Sequence, residues 1–137
     1  MIRTRFQKIT LGIAGATALG IGGAILFAPQ GFYAGYGIAI GSDPSLLSEL
    51  RAPGAGLAAF GAVMLAGIFR PALRQPAMVA ALAVFLAFPA GRLVGLVADG
   101  MPSNGILAAL LLELVIAALC VLAWRPGAGA ATRRAPG

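Results

Sequence analysis

Four stretches of this chain run for roughly the width of a bilayer almost without a charge. Ile9 to Ala28 and Pro53 to Phe69 carry none, Ala77 to Ala98 carries only Arg92, and Asn104 to Trp124 carries only Glu113. The hydrocarbon layer is ~30 Å thick and a helix rises ~1.5 Å per residue, so roughly 20 apolar residues make one crossing. Composition agrees: of 137 residues 60% are apolar and 10% charged, and the mean hydropathy is +0.95. These values lie outside the range of water-soluble domains. The expected fold is all-α, an integral membrane bundle of four transmembrane helices. The lipid bilayer is its first partner.

Boundaries follow from caps and breakers. A basic N-terminus, residues 1–8, precedes a single membrane domain over residues 9–125, with helices at about 9–28, 44–69, 77–99 and 103–124. Asp43-Pro44 is a good helix start, an acceptor side chain followed by a residue that needs no amide partner. Pro53 removes one backbone bond, so a kink is expected near it. Pro29 and Gly31 close the first span, and Phe32, Tyr33 and Tyr36 then stand among small residues. Such rings favour the head-group level, and the segment reads as an interfacial loop with anchoring aromatics. Asp99 to Gly105 is a tight turn. The basic tail, 126–137, is built of Gly, Ala, Pro, Thr and Arg and is expected to be disordered.

Cytoplasmic loops retain Lys and Arg during insertion. Arg3, Arg5 and Lys8 precede the first span, Arg70 and Arg74 separate the second from the third, and Arg125, Arg133 and Arg134 follow the fourth. The other two loops hold the acidic Asp43, Glu49 and Asp99. Both termini are therefore expected in the cytoplasm, with the protein a multi-pass component of a bacterial inner membrane. The first span is too long for the apolar core of a signal peptide, although Ala16-Thr17-Ala18 resembles a cleavage site. It is expected to stay uncleaved. The net charge of +6 is a topology signal; no nucleic-acid partner is expected, because a folded basic surface with stacking aromatics is absent.

The sequence supports no catalytic or cofactor site. There is no His, and the single Cys120 lies inside the fourth span, so neither an internal disulfide nor the usual metal ligand set can form. Gly20 to Gly23 is no phosphate loop, since it lies within a span and no Lys-Ser follows. An enzyme is the least supported class, with no cofactor and no metal expected.

Two charges fall where lipid should forbid them. Arg92 and Glu113 lie roughly 10 and 13 Å below the outer ends of their helices. A charge near the bilayer centre costs ~2.5 to 3.5 kcal/mol on insertion scales, so an interhelical Arg92–Glu113 pair is expected. Asp99 follows Arg92 by almost two turns and shares its face. Glu49 and Arg51 start the second helix. The five groups Glu49, Arg51, Arg92, Asp99 and Glu113 are expected to converge as a ligand-binding or structural charge cluster in the outer half of the bundle. Small residues recur every four positions: Gly12, Ala16, Gly20 and Ala24; Gly54, Ala58, Ala62 and Ala66; Ala83, Ala87, Gly91 and Gly95; and Ala109 and Ala117 around Glu113. In lipid such faces let helices approach. A weak repeat also pairs Pro29-Gln30-Gly31 with Pro89-Ala90-Gly91 and Arg70-Pro71 with Arg125-Pro126.

At Glu49-Leu50-Arg51-Ala52, Gly91-Arg92, Asp99-Gly100-Met101-Pro102-Ser103 and Glu113-Leu114 the chain resembles a bacterial family of four-helix membrane proteins known only as a domain of unknown function. The resemblance spans roughly Ile9 to Trp124 and departs from the family pattern at Pro53-Gly54, where an acidic residue and a Tyr are common. It implies the four-helix fold and marks these positions without naming an activity. Two functions remain. One is a protein that binds or moves a small molecule, ion or proton at the charged cluster. The alternative is a non-catalytic scaffold or accessory subunit, joined to a membrane protein partner or to copies of itself through Gly/Ala faces. A water-accessible pocket around Arg92 and Glu113 favours the first; a dry, fully paired cluster with a small-residue stripe facing lipid favours the second.

Overall fold

A computed structural model of the chain describes residues 2–126, so the tail from residue 127 lies outside the described residues. Four long helices carry the structure: α1 (Ile2–Phe27), α3 (Pro44–Phe69), α4 (Arg74–Asp99) and α5 (Asn104–Ala123). A short helix, α2 (Pro29–Ala34), follows α1, and a single 3₁₀ turn at Pro71–Leu73 leads into α4. All four long helices are long and apolar enough to cross a membrane. Among the described residues there is no strand.

Local chemistry sets the ends. Pro29 biases its predecessor away from helical geometry, and Ala28 accordingly sits at φ −141°, ψ 60°, where α1 ends and α2 begins. The Asp43 carboxylate accepts a hydrogen bond from the Leu46 amide at 2.9 Å, and Pro44 takes the first helical position of α3. The α4–α5 turn pivots on Gly100, whose φ of 96° belongs to glycine. Pro53 and Pro89 both lie inside helices that continue past them. α1 begins seven residues before the apolar run because Arg3, Arg5 and Lys8 extend it with good helix formers.

The helices form a ring in the order α1, α3, α4, α5, with α5 closing back onto α1. Gln7 of α1 donates to the Ala123 carbonyl of α5 at 3.0 Å, so the first and last helices meet at the same end. Leu11, Ala14, Ala18, Met64, Met78, Ala81, Ile116 and Cys120 fill the axis.

The tightest seam joins α1 to α3. A Cβ on Gly22 would lie 2.6 Å from the Gly54 carbonyl oxygen, and one on Gly61 2.5 Å from the Leu19 amide nitrogen. Only glycine fits where two backbones approach this closely. The buried face of α1 is Leu11, Gly15, Ala18, Gly22 and Ile25, and that of α3 is Gly54, Leu57, Gly61, Met64 and Gly67. The steps are all of three or four, alternating on α1 and from Gly54 to Met64 on α3, close to the 3.5-residue period of helices that wrap around one another. The four-residue stripes expected from the sequence are therefore corrected on three helices. Ala16 and Gly20 are exposed, as are Ala62, Ala83, Ala87 and Gly91. A four-residue repeat drifts around a helix, whereas a seam needs the 3.5 period. On α5 the expected Ala109 and Ala117 do turn inward.

Candidate functional site

Arg92 is carried by the last third of α4 and Glu113 by the middle of α5. Glu113 falls on the buried seam of α5, in register with Leu110, Ile116, Ala117 and Cys120. The two side chains meet in a fork. Arg92 Nε donates to Glu113 Oε2 at 2.8 Å and Nη2 donates to Oε1 at 2.9 Å. Two parallel charge-assisted bonds fix both planes and satisfy both carboxylate oxygens. The side chains are 28% and 8% exposed, so the pair has a nearly sealed acidic half and a partly open basic half.

Beside the pair lies a cavity of about 480 Å³. α1 supplies Thr17, Ala18, Ile21 and Ile25, α4 supplies Val84, Phe85 and Phe88, and α5 supplies residues from Gly105 to Leu112. α2 and the residues after it supply Phe32, Tyr33, Tyr36 and Ile38. Phe32 meets Tyr33 and Tyr36 edge to face, with ring centroids 5.2 and 5.1 Å apart. Ser103 Oγ donates to the Tyr36 carbonyl at 3.0 Å, which ties this aromatic roof to the start of α5. Tyr36 also rests on Gly105, where an added Cβ would stand 3.0 Å from its ring. Burial pushes the Tyr33 phenol above its ordinary pKa; the Arg92 charge opposes the shift and Tyr36 adds to it. The phenol stays a neutral donor at physiological pH.

The other three charges expected in the cluster do not join the pair: Glu49 and Arg51 lie elsewhere and Asp99 stays near Arg92 without bridging to it, which corrects the five-way convergence. Arg51 Nη1 donates to the Leu26 carbonyl and lines a separate surface depression with Pro44, Leu47 and Ser48. Leu26 is in the last turn of α1, whose carbonyls have no partner within the helix, so a guanidinium there completes the helix end. Arg74 does the same for α3, reaching the Gly67 and Ile68 carbonyls at 3.3 and 3.4 Å. Glu49 is exposed and makes no ion pair among the described residues. Asp99 shares the rim of a shallow pocket with Arg92 yet forms no bridge to it. Its carboxylate oxygen lies 3.9 Å from the position a Cβ would take on Gly95.

The aromatic wall escaped the sequence reading, which placed Phe32, Tyr33 and Tyr36 in an anchoring loop. A signal was present. Pro29 at a first helical position, followed by rings three and four residues apart, describes one short amphipathic turn with its rings on one side.

A family model described as a domain of unknown function (DUF4345) matches residues 6–124. The chain belongs to this family. The matched span contains α3, α4, α5 and all of α1 but its first four residues, together with the ion pair and the aromatic roof. No curated protein and no solved structure matches the chain. Among the described residues no three His, Cys, Asp or Glu side chains gather where they could hold a metal ion.

Proposed function

We propose that this member of the DUF4345 family is a small multi-pass protein of the bacterial inner membrane that binds a small molecule in the cavity beside Arg92 and Glu113. One observation carries the reading: a partly buried ion pair forms part of the wall of a drug-sized, mostly apolar cavity. Ligand sites combine these features, an apolar wall with a few placed polar groups. A pair serving only to join α4 to α5 would need no adjoining space, and apolar packing would do the same work at lower desolvation cost.

Orientation is part of the proposal. The end of the bundle where α1 starts, α3 meets α4 and α5 stops carries Arg3, Arg5, Lys8, Arg70, Arg74 and Arg125. The opposite end carries Asp43, Glu49 and Asp99 with Arg51. By the positive-inside rule the first end faces the cytoplasm, and the cavity opens in the outer half. The reading is of a binding protein rather than an enzyme, since Arg92 and Glu113 are spent on each other. Purification in mild detergent, followed by mass identification of bound molecules, tests it. One compound should be recovered reproducibly with the wild type and lost from Ala109→Phe, which puts a ring into the cavity beside the pair. Equal recovery from both proteins would remove the reading.

A second reading has its own support. Ala83, Ala87 and Gly91 face outward on α4, a smooth surface suited to another helix. It favours an accessory subunit, and a partner protein recovered in fixed ratio would favour it over ligand binding.

A further inference from the structure

The bound molecule's chemistry can be narrowed from the way the pair is made, given the binding role proposed above. Arg92 and Glu113 neutralise each other through two direct bonds. The pair is already neutral, so an anion received on Arg92 or a cation received on Glu113 would bring a charge with no counter-charge of its own. Either leaves a charge unpaired at membrane depth. The pair therefore selects against charged ligands. Arginine has five N–H donors, and Glu113 takes one from Nε and one from Nη2. Nη1 of Arg92 donates to nothing among the described residues, and Arg92 is the more exposed member of the pair. What the pair lacks is an acceptor. Away from it the wall is mostly aliphatic and aromatic, with Ile21, Ile25, Phe85 and Leu112, and its other side-chain polar groups are the hydroxyls of Thr17, Tyr33 and Tyr36.

The route in is also visible. Ala108 and Leu112 on α5 are exposed on the side of the bundle, yet both line the cavity, as do the half-buried Thr17 and Ile21 on α1. The cavity thus reaches the lateral surface between α1 and α5. These helices are pinned together at the other end by Gln7 and Ala123. From the geometry we infer that the site takes an uncharged, lipid-soluble molecule bearing a carbonyl-type hydrogen-bond acceptor. It enters from the bilayer between α1 and α5, and its oxygen is received by Arg92.

The test uses the full chain in phosphatidylcholine nanodiscs and four radiolabelled probes of matched length: methyl dodecyl ketone, tetradecane, myristate and tetradecylammonium. The ketone should be retained about tenfold better than the alkane, the worth of one hydrogen bond to a charged donor. It should also exceed both ions. Arg92→Met combined with Glu113→Met keeps the cavity and removes the pair, and should lower the ketone to the level of the alkane. Ala109→Phe should abolish retention of the ketone and the alkane with the pair untouched, which keeps the test valid if the double variant fails to fold. Retention of ketone and alkane alike by the wild type, or preference for myristate or the ammonium, overturns this ligand class and leaves cavity binding standing. Retention of none of the four by a folded protein overturns the binding role as well.

Discussion

The α1–α3 and α4–α5 hairpins join their helices in opposite ways. In the first, Gly15, Gly22, Gly54 and Gly61 bring two backbones together until no side chain fits between them. In the second, the halves nearer the Gly100 turn are clasped by Arg92 and Glu113, and space remains beside the clasp. Lipid tails are as apolar as leucine, so helices in a membrane associate through close packing and polar contacts rather than by escaping solvent. Each hairpin relies mainly on one of these. The close-packed seam leaves no room for a guest; the clasped one builds a site.

The comparison breaks most easily at the clasp. Glu113→Leu strands a guanidinium that cannot shed its proton, and should cost about 3 to 5 kcal/mol, the usual penalty for removing one partner of a buried pair. The double replacement of Arg92 and Glu113 by Met should recover most of that loss. Thermal unfolding in a single detergent measures both variants. A double variant as unstable as the single one would show that the pair contributes more than mutual neutralisation. The next largest effect belongs to the glycine seam. Gly22→Leu or Gly61→Leu forces a side chain into backbone atoms and should cost roughly 3 kcal/mol, the upper part of the overpacking range. At the exposed Gly20 and Gly91 an added Cβ meets nothing within 4 Å, so Gly20→Leu and Gly91→Leu should unfold close to wild type. If Gly20→Leu were as damaging as Gly22→Leu, the seam would lie on the four-residue face read from the sequence.

A smaller effect separates the two charges at the start of α3. Arg51→Met removes the group that completes the end of α1 and should lower stability by about 1 kcal/mol. Glu49→Gln, on an exposed residue without an ion-pair partner among those described, should stay within about 0.5 kcal/mol of wild type. Equal losses would restore Glu49 and Arg51 to a common charged cluster.

How far the sequence could be read depends on what kind of partner each residue has. Span number and length were legible because they depend on one dimension, a run of apolar residues set against a fixed thickness. The Arg92–Glu113 contact was legible for a similar reason, since two opposite charges at matching depth on consecutive helices have few alternatives. Arg51 was misplaced because its partner is the backbone carbonyl of Leu26, and every residue has one. The helix faces were misread because Ala and Gly occur on all sides, so a four-residue pattern can be drawn on almost any face. The repeat shows the same limit. Pro29-Gln30-Gly31 ends α1, whereas α4 runs through Pro89-Ala90-Gly91 to Asp99. In α4 the helix continues for ten residues past the proline, whereas the Gly-rich residues after Pro29 form one short helix and turn aside. That difference places Phe32 on a separate roof helix and Arg92 on the wall opposite it.

The smallest predicted effect probes how dry the cavity is. Burial raises the Tyr33 pKa and the Arg92 charge lowers it, with burial the larger of the two. Alkaline difference spectra comparing wild type with Tyr33→Phe should therefore show the Tyr33 phenol ionising later than free tyrosine. The folded state holds this proton more tightly than the unfolded state does. Its contribution to stability is thus complete below the ordinary phenol pKa and is lost as pH rises through the folded value. Tyr33→Phe should accordingly lose less stability than wild type on going to alkaline pH. Ionisation earlier than free tyrosine would mean that the guanidinium outweighs desolvation, which happens only if water fills the space beside the clasp. The α4–α5 side would then differ from the glycine seam by being wet as well as open, and an ion would become a better candidate occupant than a lipid-soluble carbonyl compound.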